Sequence, residues 1–145
     1  LSLPLLVPSN PRPRVIKVAD EPRVAIIADV ETPLGLFTVA TAHLSFVPGF
    51  NVKQLRKLTK HLSERSNPVI IFGDFNLPGK TAKLVSRWDS LAELPTYPTF
   101  KPRIQFDHVI SRGLTEETIQ RAKASAEVMA LAISDHCALV VEITK

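Results

Sequence analysis

Short apolar runs separated by turn residues recur along the chain and predict β-strands. Residues 24–30 and 36–41 are two such runs, and the proline- and glycine-bearing turn between them favours a hairpin. Residues 69–72 are apolar without alternation, which is typical of a strand buried on both faces. Two further strands are predicted at residues 104–110 and 137–143. We expect all of these strands to form one sheet.

A helical repeat of apolar residues follows the hairpin, within residues 51–65. The apolar positions recur every three or four residues, and lysine and arginine occupy the other side of the predicted helix. These apolar positions are Val52, Leu55, Leu58 and Leu62. Asn51 is the predicted N-cap. We expect this helix to cover the outer face of the sheet.

Two shorter helices and an irregular lead-in complete the predicted elements. A short helix is expected after Asn76, with one face formed by Leu84, Val85 and Trp88. A third helix is predicted at residues 115–124, where Thr115 is a plausible cap for a first turn rich in glutamate. Residues 1–23 contain five prolines, which predicts an extended, irregular segment.

Composition indicates a globular domain and excludes several kinds of site. The 145 residues suit one domain, with 45% hydrophobic and 22% charged residues. The net charge of +4 is compatible with a phosphate-bearing ligand. Because Cys137 is the one cysteine, an intrachain disulfide and a cysteine-based zinc site are both excluded. The apolar runs are too short to cross a bilayer, and we expect a cytoplasmic location.

Polar residues follow or precede the predicted strands, where the loops of a layered α/β protein gather. His43, Asp74 and Asn76 follow strands, and Asp135 and His136 precede one. In an extended segment Asp74 and Asn76 would share a face. The carboxylate could deprotonate a water or hold a hard cation, and the amide could donate to a phosphoryl oxygen. The alternative for this pair is an Asx turn after the strand.

Asp107 lies inside an apolar strand, where a charge costs free energy unless it is paired. We therefore expect it to pair with the imidazole of His136, while the adjacent His108 points to the opposite side. A carboxylate partner fixes the tautomer of a histidine that transfers protons. Taken alone, Asp135–His136 fits a surface loop and His43 fits a structural histidine. Cys137 is expected to be a small core residue.

Four motifs in order resemble the endonuclease/exonuclease/phosphatase superfamily, which includes deoxyribonuclease-like enzymes. They are residues 40–44 (Ala-Thr-Ala-His-Leu), 73–76 (Gly-Asp-Phe-Asn), 105–109 (Gln-Phe-Asp-His-Val) and 134–136 (Ser-Asp-His). The resemblance implies an α/β (α+β) fold, part of a four-layer sandwich of mainly antiparallel sheets flanked by helices. It also implies Mg²⁺ or Mn²⁺ as cofactor, with Asp135 as a metal-side carboxylate.

The resemblance also implies roles for the remaining site residues. Asp74 would activate the attacking water, and Asn76 and His43 would orient the phosphate. His136, held by Asp107, would stabilise the pentacovalent transition state. The substrate would be a phosphoester, with nucleic acid, inositol phosphate and phospholipid head groups all open.

The chain departs from the family pattern in its first part. Family members are roughly twice as long, near the upper range of single domains. Their early strands supply an Asn and a Glu to the metal site. Asn10 and Glu21 lie beside prolines and do not fit that role. We therefore expect a partial domain, residues 1–145, whose partner is a missing N-terminal half and which alone binds Mg²⁺ weakly.

Three functions remain open from the sequence. The first is a metal-dependent phosphoester hydrolase. The second is a non-catalytic module that binds nucleic acid or phospholipid with the same fold. The third is a structural fragment that requires its other half and exposes an apolar face.

Overall fold

The computed structural model describes residues 14–16 and 23–144, and its central feature is a six-stranded sheet within that part of the chain. Its strands are β1 Arg14–Ile16, β2 Arg23–Thr32, β3 Gly35–Ala42, β4 Val69–Asp74, β5 Asp89–Ser90 and β6 Asp107–Arg112. Their order across the sheet is β1-β2-β3-β4-β6-β5. The helices are α1 Phe50–Leu62, α2 Thr81–Ser86 and α3 Glu116–Ser125.

The sheet is mostly antiparallel, and the fold is a mixed α/β arrangement. Strands β3 and β4 run parallel, whereas each of the other neighbouring pairs in the sheet is antiparallel. The parallel connection passes through α1, as a crossover of this kind requires. The fold class expected from the sequence is therefore confirmed, with helices packed beside a mainly antiparallel sheet.

The expectation that all strands join one sheet is wrong for the last strand. Residues Cys137–Val140 form β8, which pairs with β7 (Glu127–Ala130) in a separate two-stranded sheet. Pairing with the strand just before it closes a short loop, which costs less chain entropy than reaching the central sheet. The strand predicted at residues 104–110 also begins later, at Asp107, because Ile104 makes only an isolated bridge to Tyr97.

Helix α1 covers one face of the central sheet, as its apolar repeat predicts. Leu55, Leu58 and Leu62 are at most 1% exposed and pack with sheet residues such as Ile71. The predicted N-cap is wrong, however, since the helix begins at Phe50 and its cap is Gly49. Asn51 lies within the first turn instead.

The shorter helices agree with prediction in position but not in every buried residue. Thr115 caps α3 by accepting a hydrogen bond from the Thr118 N–H at 3.2 Å. In α2, Trp88 beyond the helix is buried and Val85 packs on the core, but Leu84 is 76% exposed. A helix of six residues has one narrow buried face, which Ala82 occupies instead of Leu84.

The irregular lead-in predicted for residues 1–23 lies mostly outside the described residues. Its described part includes β1, which pairs antiparallel with the first residues of β2. None of the helices in the described residues has the length and apolar character needed to cross a membrane.

Candidate active site

Two carboxylates face each other where β4 ends and β6 begins. Asp74 is the last residue of β4, Asp107 is the first of β6, and the two are directly opposite in the antiparallel register. Residues opposite each other in such a pair have Cβ atoms about 5 Å apart. Strand pairing therefore holds two like charges close together, an arrangement that costs stability unless cations or protons compensate.

Gly73 lets this end of the sheet close tightly. Its φ of 135° is unfavourable for any side chain, and a Cβ atom there would lie 2.3 Å from the carbonyl oxygen of Ala42 on β3. The missing side chain thus allows β4 to approach β3 immediately before Asp74. Leu44, beyond β3, then donates its N–H to the Asp74 carbonyl oxygen at 2.9 Å.

His136 joins this pair of carboxylates from the loop before β8. Its Nδ1 lies 2.7 Å from Asp107 Oδ2, so the predicted contact between these residues is confirmed. An Nδ1–H that donates to Asp107 leaves Nε2 as the other ring nitrogen, available to a substrate or a proton. Both side chains are partly buried, at 21% and 22% exposure. The arrangement is that of an oriented imidazole.

The His136 loop is held by the loop at residues 96–99. The Thr99 N–H donates to the Asp135 carbonyl oxygen at 2.7 Å, and the Cys137 N–H donates to Thr96 O at 2.7 Å. The Tyr97 ring lies 5.0 Å from the His136 ring, centroid to centroid. No local pattern marks Tyr97, whose proximity to His136 arises from pairing between loops distant in the chain.

Asp74 accepts a hydrogen bond from the loop that follows it and lies beside a second histidine. The Asn76 N–H donates to Asp74 Oδ1 at 2.8 Å, so the Asx turn considered from sequence is present. His43 Nε2 lies 3.4 Å from Asp74 Oδ2 and its side chain is 62% exposed. The Asn76 amide nitrogen donates to the Leu44 carbonyl oxygen at 3.0 Å. One amide hydrogen of Asn76 is therefore engaged within the protein.

The surroundings shift the proton affinity of two site residues upward. Burial raises the pKa of the Asp74 carboxyl above its usual 3.8, the Asn76 N–H opposes this, and the charge of Asp107 adds to it. Burial alone would lower the pKa of His136. Its hydrogen bond to Asp107 and the negative charges of Asp107, Asp74 and Asp135 outweigh burial and raise that pKa above 6.5. Both groups are thus better bases than in water.

Three of the predicted site residues lie together in one cluster, and Asp135 lies outside it. Ligand atoms of Asp74, Asp107 and His136 all lie within 4.8 Å of one another. Two carboxylates supply the hard oxygen donors that Mg²⁺ and Mn²⁺ prefer, so this donor set fits such an ion. Asp135 is exposed and is not part of this cluster in the described residues. Its predicted role at the metal stays a prediction.

His108 points away from the site, as expected for a neighbour of Asp107 on a strand. It is 2% exposed, its ring stacks on Phe75 at 5.4 Å, and its Nε2 lies 2.7 Å from the Leu77 carbonyl oxygen. Burial lowers the pKa of His108, and the contact with Leu77 opposes that shift. Sequence reasoning did not foresee its contact with the loop that carries Asp74 and Asn76.

With the sheet and the site described, the chain can be assigned to a known protein family. The chain belongs to the Endonuclease/Exonuclease/phosphatase family, whose model matches residues 6–136. The family resemblance found in the four motifs is therefore confirmed. A search of curated proteins found no match.

Solved structures with this fold include enzymes of different specificity. Danio rerio TDP2 complexed with a single-strand DNA product is similar with a TM-score of 0.66 and 18% identity, covering 94% of this chain and 67% of that one. A mannosyl-6-phosphatase of Bacteroides thetaiotaomicron has a TM-score of 0.60 and 14% identity, covering 86% and 58% respectively. An Enterococcus faecalis protein of unknown function has a TM-score of 0.62 and 17% identity, covering 85% and 56%. This chain thus spans between just over half and two thirds of their length.

Proposed function

We propose that the whole protein is a metal-dependent phosphoester hydrolase and that these 145 residues carry part of its active site. The observation that supports this most is the contact of Asp107 with His136, directly beside Asp74 at one end of the sheet. An oriented imidazole next to a carboxylate of raised pKa is suited to moving protons during hydrolysis. Membership of a family that includes phosphatases and nucleases by name agrees with this proposal.

Each residue has a separate role in the proposed reaction. Asp74 accepts the proton of the attacking water, and the Asn76 N–H holds its other carboxylate oxygen in place. His136, protonated on both ring nitrogens, donates from Nε2 to the phosphoryl oxygens as negative charge accumulates on them, while its Nδ1–H donates to Asp107. His43, exposed beside Asp74, and the second amide hydrogen of Asn76 orient the phosphate.

A divalent ion, Mg²⁺ or Mn²⁺, would be held beside the Asp74 and Asp107 carboxylates, with Asp135 contributing from the adjacent loop. When bound, such an ion neutralises charge on the phosphate and lowers the pKa of water. We propose that further oxygen ligands come from a part of the fold that these residues do not contain, since Mg²⁺ demands octahedral coordination. The chain covers only part of the length of the similar solved structures, which is consistent with ligands from a further part of the fold.

Nucleic acid is the substrate that we would test first, followed by inositol phosphates and phospholipid head groups. Danio rerio TDP2 was solved with a DNA product, and this chain carries a net charge of +4. Phe100 on the loop next to the site is 88% exposed, and exposed Lys101 and Arg103 accompany it. An aromatic ring with nearby cations suits single-stranded nucleic acid.

The test is turnover of bis(p-nitrophenyl) phosphate by the whole protein, with Mg²⁺, with Mn²⁺ and with EDTA. We expect turnover that requires the ion and that EDTA abolishes. The same assay with p-nitrophenyl phosphate separates diesterase from monoesterase activity. Equal turnover in EDTA would contradict the proposal, and strong EDTA-sensitive turnover by the 145 residues alone would contradict the shared metal site.

A further inference from the structure

The buried amide of Asn51, in the first turn of α1, contacts Asn76 on the loop that follows β4 and Asp74. Asn51 is 4% exposed, and its Nδ2 donates to the carbonyl oxygen of Asn76 at 2.9 Å. The two residues are 25 positions apart in the chain. A side chain of α1, which packs on one face of the sheet, thereby reaches the site.

The orientation of the Asn51 amide is fixed by the backbone around it. Its Oδ1 accepts from the Val52 N–H at 2.8 Å and from the Gly49 N–H at 3.2 Å. Because an amide oxygen cannot donate, the opposite side of the group must carry the NH₂ that faces Asn76. Asn51 therefore has two separable functions, an acceptor for the start of the helix and a donor to the loop.

Asn76 transmits this contact to Asp74. Its backbone is in the left-handed region, with φ of 50°, which non-glycine residues adopt when surrounding contacts hold them there. In that conformation its N–H donates to Asp74 Oδ1 at 2.8 Å and its side chain donates to Leu44 O at 3.0 Å. Release of the Asn76 carbonyl would remove one of the contacts that hold the turn.

We propose that Asn51 is a positioning residue for the Asp74 carboxylate and acts through the turn at Asn76. The expected effect of Asn51 on the rate of hydrolysis rests on the proposed function, whereas its effect on the conformation of the Asn76 turn does not. A group that holds a catalytic residue from behind contributes to rate without touching the substrate, and its loss costs on the order of 10-fold to 100-fold.

Two substitutions separate the functions of Asn51. Asn51→Asp keeps an acceptor for the Val52 and Gly49 N–H groups, but its carboxylate cannot donate to the Asn76 carbonyl oxygen. Since α1 has no acidic residue in its first turn, an aspartate there is also favoured by the helix dipole. Asn51→Ala removes both functions. Thr59→Val is the matched control, because Thr59 is a buried polar residue of α1 that bonds within the helix.

We expect Asn51→Asp to remain folded, with a lower melting temperature because its second carboxylate oxygen is buried against the Asn76 carbonyl oxygen. It should lose about tenfold in kcat, the lower end for a residue that acts through another. KM for bis(p-nitrophenyl) phosphate should change by less than about twofold, because substrate contacts are intact. Asn51→Ala should lose both stability and kcat. Thr59→Val should leave kcat within about twofold of the parent value.

Amide hydrogen exchange, measured by NMR on ¹⁵N-labelled protein in EDTA, tests the turn itself. Exchange of the Asn76 amide should be at least about tenfold faster in Asn51→Asp than in the parent or in Thr59→Val. This measurement tests whether Asn51 holds the turn at Asn76, even if the protein hydrolyses no phosphoester. Unchanged exchange at Asn76 would overturn the proposal, and so would faster exchange in an active protein with unchanged kcat. An equal loss of kcat in Thr59→Val would also overturn it.

Discussion

A polar cluster lies at each end of the parallel strands β3 and β4. The two clusters differ in the groups that surround their carboxylates. At the start of these strands, Asp29 Oδ1 accepts from the Thr38 hydroxyl at 2.6 Å and its Oδ2 lies 3.3 Å from Arg65. At the far end, Asp74 and Asp107 face each other across β4 and β6. We call these the Asp29 cluster and the Asp74 cluster.

Exposure does not explain the difference between the clusters. The side chains of Asp29 and Asp74 are 29% and 20% exposed, so both are partly buried. Each oxygen of both carboxylates has a partner, but Asp74 also has the like charge of Asp107 opposite it and a raised pKa. Satisfied charges stabilise a fold, and like charges held together indicate a site. The predictions below test that distinction.

The largest difference is expected in turnover. Asp74→Ala and His136→Ala should each lower kcat/KM for bis(p-nitrophenyl) phosphate on the order of 10²-fold to 10⁴-fold, as expected for a positioned base or charge-stabilising donor. Asp29→Ala, at the other end of the same strands, should lower it less than about threefold after correction for folded protein. Steady-state kinetics of the whole protein measure this. Similar losses in all three variants would show that the Asp74 cluster has no special role.

The second test compares two glycines of positive φ. Gly73→Ala should destabilise the protein by more than about 2 kcal/mol, because the new Cβ would overlap the Ala42 carbonyl oxygen. Gly35→Ala has φ of 110° but open space around its Cβ, so it should cost only about 1–2 kcal/mol. Urea unfolding of both variants gives the difference. Equal costs would mean that β3 and β4 need no close approach beside Asp74.

The third test compares how removal of a carboxylate from each cluster changes the free energy of unfolding, and we expect changes of opposite sign. Asp29→Ala should destabilise the fold by about 1–3 kcal/mol, since it leaves the Thr38 hydroxyl and Arg65 without their acceptor. Asp74→Asn should be neutral or stabilising by up to about 1 kcal/mol in EDTA, because it removes a carboxylate whose ionisation burial opposes. Urea unfolding at pH 7 provides both values. A clear loss of stability in Asp74→Asn would contradict this reading of the Asp74 cluster.

The smallest effect concerns pH. The pKa of folded His136 lies above 6.5, so the protonated imidazole contributes stability that is fully present below pH 6.5 and lost as pH rises through the folded pKa. His136→Gln should remove this contribution, about 1 kcal/mol or less for a partly exposed pair. The test is urea unfolding of the parent protein and His136→Gln between pH 5.5 and 8.5, a range around the histidine pKa, in EDTA. Identical slopes in parent and His136→Gln would refute the coupling.

Local patterns in the chain were enough to predict many of its elements and several of its site residues. The repeat of Leu55, Leu58 and Leu62 requires one buried helix face, and α1 has it. A carboxylate in the apolar strand at Asp107 requires a partner, and His136 provides it. These predictions succeeded because periodicity and the cost of an unpaired charge are properties of a few neighbouring residues.

Contacts between distant residues settled the rest. The pairing of β8 with β7, the position of Tyr97 beside His136 and the contact of Asn51 with Asn76 have no local signature. Each depends on which surfaces remain available once the central sheet has formed, and on the entropy of closing one loop instead of another. The residue types that could do chemistry were therefore readable in the chain, whereas the groups that hold them in place emerged only when separate segments packed together.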